Sequence, residues 1–260
     1  MNEIEISDLN VSFKITDRKV KVLKDLNLNI ESDKISVVLG KSGCGKTTLL
    51  KAIKGLIPIE KGIIKKENLN ISYVFQEPRL MAWLNVYENI IFGLKKQEVN
   101  NKNIDELIDM IGLRDFKKAY PKELSGGMCS RVSLARALAT KAGFILMDEP
   151  FAALDYFTRL HLQRELIRLY KLNNFGVLFV THSIEEAINI ADVILIMDQG
   201  KIKKKYHKVY MEKIGISKLR SEILRDFCPQ AVSKSSDKTR TNTFFILLPP
   251  LSLSKFLSVI

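Results

Sequence analysis

An α/β fold, a parallel sheet carrying an antiparallel β subdomain and an inserted helical lobe, is predicted by three observations. Short apolar, β-branched runs alternate with helical periodicities along the 260 residues. One of those runs ends at a glycine-rich turn that opens a helix. Strand character then disappears between Glu77 and about Thr140 and returns afterwards.

Taken in order, residues 4–13 and 20–30 alternate apolar and polar side chains, as two antiparallel strands joined by the polar stretch Thr16–Lys19 would. Ile35–Leu39 is apolar throughout, which marks a buried strand. A helix is expected from Lys46 to about Lys54, stopped by Gly55 with Pro58 beyond. Ile71–Phe75 reads as the next strand. Helical segments follow near 85–95, 103–112 and 127–140. Strands return at Phe144–Met147, Val177–Thr181 and Val193–Met197, with helices at about 156–172 and 183–191 between them. The domain is thus expected over 1–225, its core formed by about 1–76 and 141–225 and its helical lobe by about 77–140.

Composition excludes some classes of function. With 46% hydrophobic and 27% charged residues, the chain is neither a disordered tail protein nor a multi-span membrane protein. Met1–Asn10 carries acids and lacks an apolar core, so no secretory signal is expected there. Cys44, Cys129 and Cys228 are too few and scattered for a disulfide framework, which favours a reducing compartment. The net charge of +12 is unevenly spread: residues 201–260 hold 13 of 41 Lys+Arg and 4 of 29 acids, or +9, leaving +3 on residues 1–200. Residues 229–243 are rich in Ser, Thr and Lys, and 226–260 is expected to be a flexible tail. Its apolar end, 244–260, is interrupted by Pro249, Pro250 and Lys255 and is too short to span a bilayer. Docking on another subunit and lying on a lipid surface are its other readings, and disorder or an extension without a role is the favoured one.

The turn Gly40-Lys41-Ser42-Gly43-Cys44-Gly45-Lys46-Thr47 fits G-x-x-x-x-G-K-[ST], between an apolar strand and a helix. Its glycines let successive N–H groups face a phosphate, and the helix N-terminus adds a positive dipole end. Lys46 would reach β- and γ-phosphates, and the Thr47 hydroxyl would ligate Mg²⁺, with Thr48 completing the ATP-binding stretch. The motif is a phosphate-binding loop of the P-loop NTPase type, and the fold expected around it is a RecA-like parallel sheet. Phe144–Met147 delivers Asp148 and Glu149 at a strand's carboxyl end, where open α/β sheets bind ligands. Alone, two acids there would more often be a strand cap. Beside a phosphate loop they read as Asp148 holding Mg²⁺ through water and Glu149 as general base.

Leu124-Ser125-Gly126-Gly127-Met128 offers a second anion site at a helix start, followed by Arg131 to Ala139. With this motif the sequence resembles the ATP-binding subunit of ABC transporters, whose signature loop is typically LSGGQ. The resemblance runs from about Ile4 to Lys201. It implies that Gln76 is the Q-loop glutamine, touching Mg²⁺ and the attacking water. It implies that Asp155, in Ala152-Ala153-Leu154-Asp155, is the D-loop aspartate, and that His182 is the switch histidine at the γ-phosphate. It further implies a head-to-tail homodimer in which Ser125, Gly126 and Gly127 act in trans on the partner's ATP.

Finer features are similar to one importer branch. Phe75-Gln76-Glu77-Pro78-Arg79-Leu80-Met81-Ala82-Trp83-Leu84-Asn85-Val86, LSGGM and Met147-Asp148-Glu149-Pro150-Phe151 look like the branch serving nitrate, aliphatic sulfonates and taurine. Relatives there also serve bicarbonate or vitamin precursors, so the solute is not legible. The resemblance implies a membrane permease docking on residues about 77–92, a solute-binding protein outside the cell, and a peripheral place on the cytoplasmic face of the membrane. Trp83, Leu84, Tyr87 and Phe92 have the character of a helix-in-groove contact, though Tyr87 and Phe92 serve equally as core residues. Two departures stand out. The position for an aromatic on adenine is Ile15, with Phe13 the nearest aromatic, and Cys129-Ser130-Arg131 replaces a Gln-rich stretch. A soluble ABC ATPase working on nucleic acid or ribosomes is the alternative. It is disfavoured because only 77 residues separate Thr47 from Ser125, and no nucleic-acid partner is expected. An idle regulatory module is disfavoured by the presence of Glu149 and His182.

Overall fold

The computed structural model describes residues 3–16, 18–66 and 69–227. The expected tail lies outside the described residues from Cys228 onward.

Two sheets organise the chain. The first is three-stranded and antiparallel, in the order β2 (Arg18–Glu31), β1 (Glu3–Ile15), β4 (Lys61–Lys66). Ile4, Ile6, Leu9 and Val11 of β1 and Leu23, Leu26, Leu28 and Ile30 of β2 are buried, so the alternation seen in the sequence marks one apolar face. Register shifts between Ile6 and Leu9, and between Leu9 and Val11, keep that face continuous. The expected antiparallel pair gains β4 as a third strand. Its sequence KGIIKK hides it, because Ile63 is exposed and the strand covers an edge rather than filling a core.

The second sheet has six strands in the order β5 (Ile71–Val74), β6 (Phe144–Asp148), β7 (Gly176–Thr181), β3 (Ile35–Gly40), β8 (Val193–Asp198), β9 (Lys201–His207). The first five are parallel, and β9 closes the edge antiparallel to β8. Strands β3, β6 and β7 are buried at every position, as the unbroken apolar runs require of a sheet covered on both faces. Ile35, Val37 and Leu39 enter the apolar cluster on one face, and Val38 enters the cluster on the other.

Helix α1 (Lys46–Lys54) follows β3 and ends at Gly55, whose φ of 81° stops it in a left-handed cap. Between β5 and β6 stand α2 (Val86–Ile91), α3 (Asn101–Met110) and α4 (Gly126–Ala139). Their Ile90, Ile104, Ile108 and Val132 share one apolar cluster with Val37 and Phe179 of the sheet. The segment expected near 85–95 is only a short helix, held by a capping box in which Asn85 and Glu88 exchange bonds of 2.9 Å. Helix α5 (Tyr156–Asn173) links β6 to β7, and α6 (Ile184–Ile190) links β7 to β8. After β9 come α7 (Lys208–Ile214) and α8 (Ile216–Phe227). Residues 201–227 are therefore built into β9, α7 and α8, so the basic residues among them sit on regular elements. Lys201, Lys203, Lys204 and Lys205 decorate an edge strand, where charge blocks further strand pairing.

Candidate active site

Strand β3 sits between β7 and β8: the chain leaves it toward β5 on one side and later passes it from β7 to β8 on the other. Open α/β sheets bind ligands at that switch point, off the carboxyl ends of the strands. Gly40 ends β3, Asp148 ends β6, and Thr181 ends β7, so the predicted chemistry gathers along one rim.

The turn after β3 has the backbone its glycines suggest. Gly43 and Gly45 stand at φ 79° and 110°, where a side chain would be strained, and Gly45 caps α1. A Cβ on Gly40 would stand 2.5 Å from Cys44 Sγ and 2.7 Å from the Met197 carbonyl. Cys44 is buried and burial pushes its thiol up, so it is a filler and not a nucleophile. Lys46 is buried, and its Nζ donates to the carbonyls of Gly40 (2.7 Å) and Lys41 (3.0 Å). Lys41, Ser42 and Gly43 are exposed at the lip of the turn, while Thr47 and Thr48 are half-buried behind it.

The acidic pair meets this turn. Thr47 Oγ1 donates to Asp148 Oδ1 at 3.0 Å, and Tyr73 of β5 donates its hydroxyl to Asp148 Oδ2 at 3.2 Å. Tyr73 pairs with Leu146 in register, and residues two apart share a face, which brings its ring beside Asp148. Burial pushes the Asp148 carboxyl up, against the lowering effect of those two bonds, and Glu149 adds to the rise. Tyr73 is pushed up strongly, first by burial and then by Asp148. Glu149 takes a left-handed φ of 47°, costly for a side chain of its kind, and its N–H bonds the Val180 carbonyl at 3.0 Å. That twist turns its carboxylate across to the ends of β3 and β7. Oε1 lies 3.7 Å from Lys46 Nζ, and Oε2 lies 3.0 Å from Nδ1 of His182. Lys46, Thr47, Tyr73, Asp148, Glu149 and His182 thus form one connected cluster. Tyr73 is the member that sequence reasoning missed; the register of β5 on β6 is the signal that finds it.

The remaining predicted residues are placed by their own elements and take no part in the bonds that connect the cluster. Gln76 is exposed just beyond β5, in a turn gripped by Arg136 of α4, which donates to the carbonyls of Pro78 (2.8 Å) and Arg79 (3.0 Å). Ser125 caps the same helix α4, accepting from the Met128 N–H at 3.2 Å, with Gly126 exposed and Gly127 packed on the Ala153 carbonyl. Asp155 is exposed and caps α5 through Thr158 at 3.0 Å. Phe13 is 37% exposed opposite Val20. Of the 77–92 segment, Trp83 (71%) and Phe92 (54%) are exposed, while Tyr87 packs partly into the core.

The donor set suits a hard divalent cation. Thr47 and Asp148 offer oxygen ligands side by side, and a half-compensated buried carboxylate is relieved by a positive charge. Among the described residues no group of three His, Cys, Asp or Glu could hold a metal ion.

A phosphate loop on a parallel sheet, facing a carboxylate pair and a histidine, defines a phosphate-loop ATPase. The model of the family described as ABC transporter matches residues 23–152, half of the chain. A Bacillus cereus protein named aliphatic sulfonates import ATP-binding protein SsuB is 38% identical over 244 residues, 86% of this chain and 95% of its own length. An uncharacterized ABC transporter ATP-binding protein of Methanocaldococcus jannaschii, MJ0412, is 40% identical over 215 residues, 78% of this chain and 80% of its own. Among solved structures, the ATP-binding cassette MJ0796, a dimer in a post-hydrolysis state bound to ADP and Pi, matches with a TM-score of 0.72 at 28% identity, over 79% of this chain and 98% of that one. The chain belongs to the ABC transporter family, as one of its ATP-binding, ATP-hydrolysing subunits.

Proposed function

We propose that this chain powers the import of an aliphatic sulfonate or a chemically similar small anion through a partner permease. The observation that carries the catalytic part is the single cluster of Lys46, Thr47, Asp148, Glu149 and His182 on one sheet rim. The solute reading rests on relatives named for aliphatic sulfonate import, at 38–43% identity.

Hydrolysis is attack of water on the γ-phosphorus, with the bond to the β,γ-bridging oxygen breaking and ADP leaving. Glu149 accepts the water's proton, and Gln76 orients that water. Lys46 and His182 face the charge that develops on the phosphoryl oxygens, which is where fixed charges accelerate such reactions most. Thr47 and Asp148 hold Mg²⁺, with Gln76 as a further ligand; the ion supplies charge neutralisation on the phosphates when bound. Gly40 to Thr48 wraps the triphosphate. Ser125, Gly126 and Gly127 of one copy close over the ATP of the other, with Asp155 between them, in a head-to-tail homodimer.

Residues about 77–92 dock the permease, with Trp83 the exposed anchor. A solute-binding protein outside the cell completes the assembly. No helix among the described residues is long and apolar enough to cross a membrane. Attachment at the cytoplasmic face is proposed to run through the permease.

Glu149→Gln tests the core of this reading. Steady-state ATP hydrolysis falls by about 10²–10⁴-fold while ATP is still bound, because a proton acceptor is removed and the phosphate cradle is not. Hydrolysis at the parental rate would remove Glu149 from the base role. Uptake of alkanesulfonates, taurine and nitrate by a strain lacking this subunit, with and without the gene restored, identifies the solute. Co-purification with a permease in detergent, in place of RNA-dependent sedimentation, separates this function from nucleic-acid work.

A further inference from the structure

We propose that Glu186 and Arg159 are positioning residues that tie the turn carrying His182 to the turn carrying Asp155. This rests on the proposed role of His182 at the γ-phosphate. Neither residue belongs to the cluster described above.

Glu186 lies in the first turn of α6 and is only 6% exposed. A buried carboxylate is costly unless it is paired, and an apolar residue would fill a helix face at less expense. What Glu186 holds is therefore informative. Its Oε2 accepts from the Thr181 hydroxyl at 2.5 Å, and its Oε1 lies 3.7 Å from Arg159 Nε.

The Thr181 hydroxyl oxygen also accepts from the Ser183 N–H at 3.0 Å, so it clamps the chain on both sides of His182. Ser183 Oγ in turn accepts from the Glu186 N–H at 3.3 Å and caps α6. A shift of Glu186 is passed to His182 through two short polar contacts. On the other side, Arg159 donates from its second terminal nitrogen to the Leu154 carbonyl at 2.9 Å, one residue before Asp155. Its Nε is buried without a hydrogen bond, so only the charge of Glu186 faces it.

A continuous path results: Leu154 carbonyl, Arg159, Glu186, Thr181, then the backbone around His182. One end is the exposed cap of α5, on the side proposed to meet a second copy, and the other is the ring that bonds Glu149. Docking of the second copy against Asp155 is thereby felt at the phosphate contact, and the pair orients His182 without touching substrate.

The test measures kcat and KM for MgATP on the full chain, with melting curves to count folded protein. In Glu186→Gln and in the near-isosteric Thr181→Val, kcat per folded chain falls about tenfold while KM stays within about twofold, since only transition-state alignment is lost. Thr181→Ser keeps the hydroxyl and keeps the parental kcat. Arg159→Gln falls as Glu186→Gln does, and the double variant is no slower than the worse single one, because both break the same path. Parental kcat in Thr181→Val, or losses that multiply in the double variant, would overturn the proposal. His182→Ala is measured alongside: parental turnover there sinks the histidine's assigned role itself. A dead His182→Ala beside an unaffected Thr181→Val sinks only the coupling path.

Discussion

At Asp148 the competing demands of folding and chemistry can be read from one side chain. Burial raises its carboxyl above the ordinary value of 3.8, which Thr47 and Tyr73 only partly offset. For a group shifted this way, the stabilising contribution is complete below the unfolded value and is lost as pH rises through the folded one. At neutral pH the charge is thus a burden on the nucleotide-free fold. Asp148→Asn is expected to melt at or above the parental temperature while hydrolysis falls by about 10²–10³-fold, as when one electrostatic stabiliser is removed. Differential scanning calorimetry beside a phosphate-release assay checks both halves; a lower melting point contradicts the assignment of strain. The carboxylate pair was legible in the sequence because an apolar strand ending in two acids has few other uses beside a phosphate loop. Tyr73 was not, since a tyrosine inside a strand carries no local sign of its partner. Only the parallel register of β5 on β6 sets it against Asp148. The left-handed φ of Glu149 was equally hidden, as nothing in its side chain favours that conformation.

Among the elements, the short stretch between β5 and α2 depends on a fully buried residue, Asn89. Its Oδ1 accepts from the Met81 N–H at 2.8 Å, and its Nδ2 faces the carbonyls of Met81 (3.1 Å), Leu84 (2.8 Å) and Asn85 (3.0 Å). That side chain replaces regular secondary structure for the segment presenting Trp83. Asn89→Ala orphans those groups, at about 1–3 kcal/mol. It is expected to spare ATP binding and to lose permease co-purification, which a detergent pull-down measures. A second clasp, Asp192, holds the far end of the sheet. Burial works against its charge, but Lys208 (2.9 Å), the Ile35 N–H (3.1 Å) and Tyr170 (2.9 Å) outweigh it and lower its carboxyl. A depressed folded value gives stability that is present above the ordinary 3.8 and lost as pH falls through the folded one. Asp192→Asn therefore melts well below the parent at pH 7, and the gap narrows below about pH 4, where an ordinary carboxylate takes up its proton. Buried strands and capped helices were visible in the sequence. Strands β4 and β9 were not, because edge strands bear lysines where pattern reasoning looks for apolar alternation.

For the whole molecule, the charge asymmetry loses much of its force once 201–227 is seen to be folded. Lys204 pairs with Asp226 at 2.8 Å and Lys208 with Asp192 at 2.9 Å, so part of that basicity fastens β9 and the last helices to the sheet. The assembly question instead turns on the opposite features, the exposed Ser125–Gly126 start of α4 and the exposed Asp155 cap of α5. Neither touches its own chain's Lys46 cluster through a bond, although Gly127 rests on Ala153. In the proposed homodimer a two-fold pairing sets the signature patch of each copy on the phosphate loop of the other. The consequence is quantitative. Lys46→Ala disables the phosphate loop, and Ser125→Arg blocks the signature, so either variant alone is expected to be inactive. Mixed in equal amounts and reassembled, half of the dimers contain one of each. Every such dimer has one site with both parts intact, so hydrolysis returns to about one quarter of the parental rate under isologous pairing. Sites acting within one chain would leave the mixture as inactive as its components, because no single chain then carries an intact loop and an intact signature together.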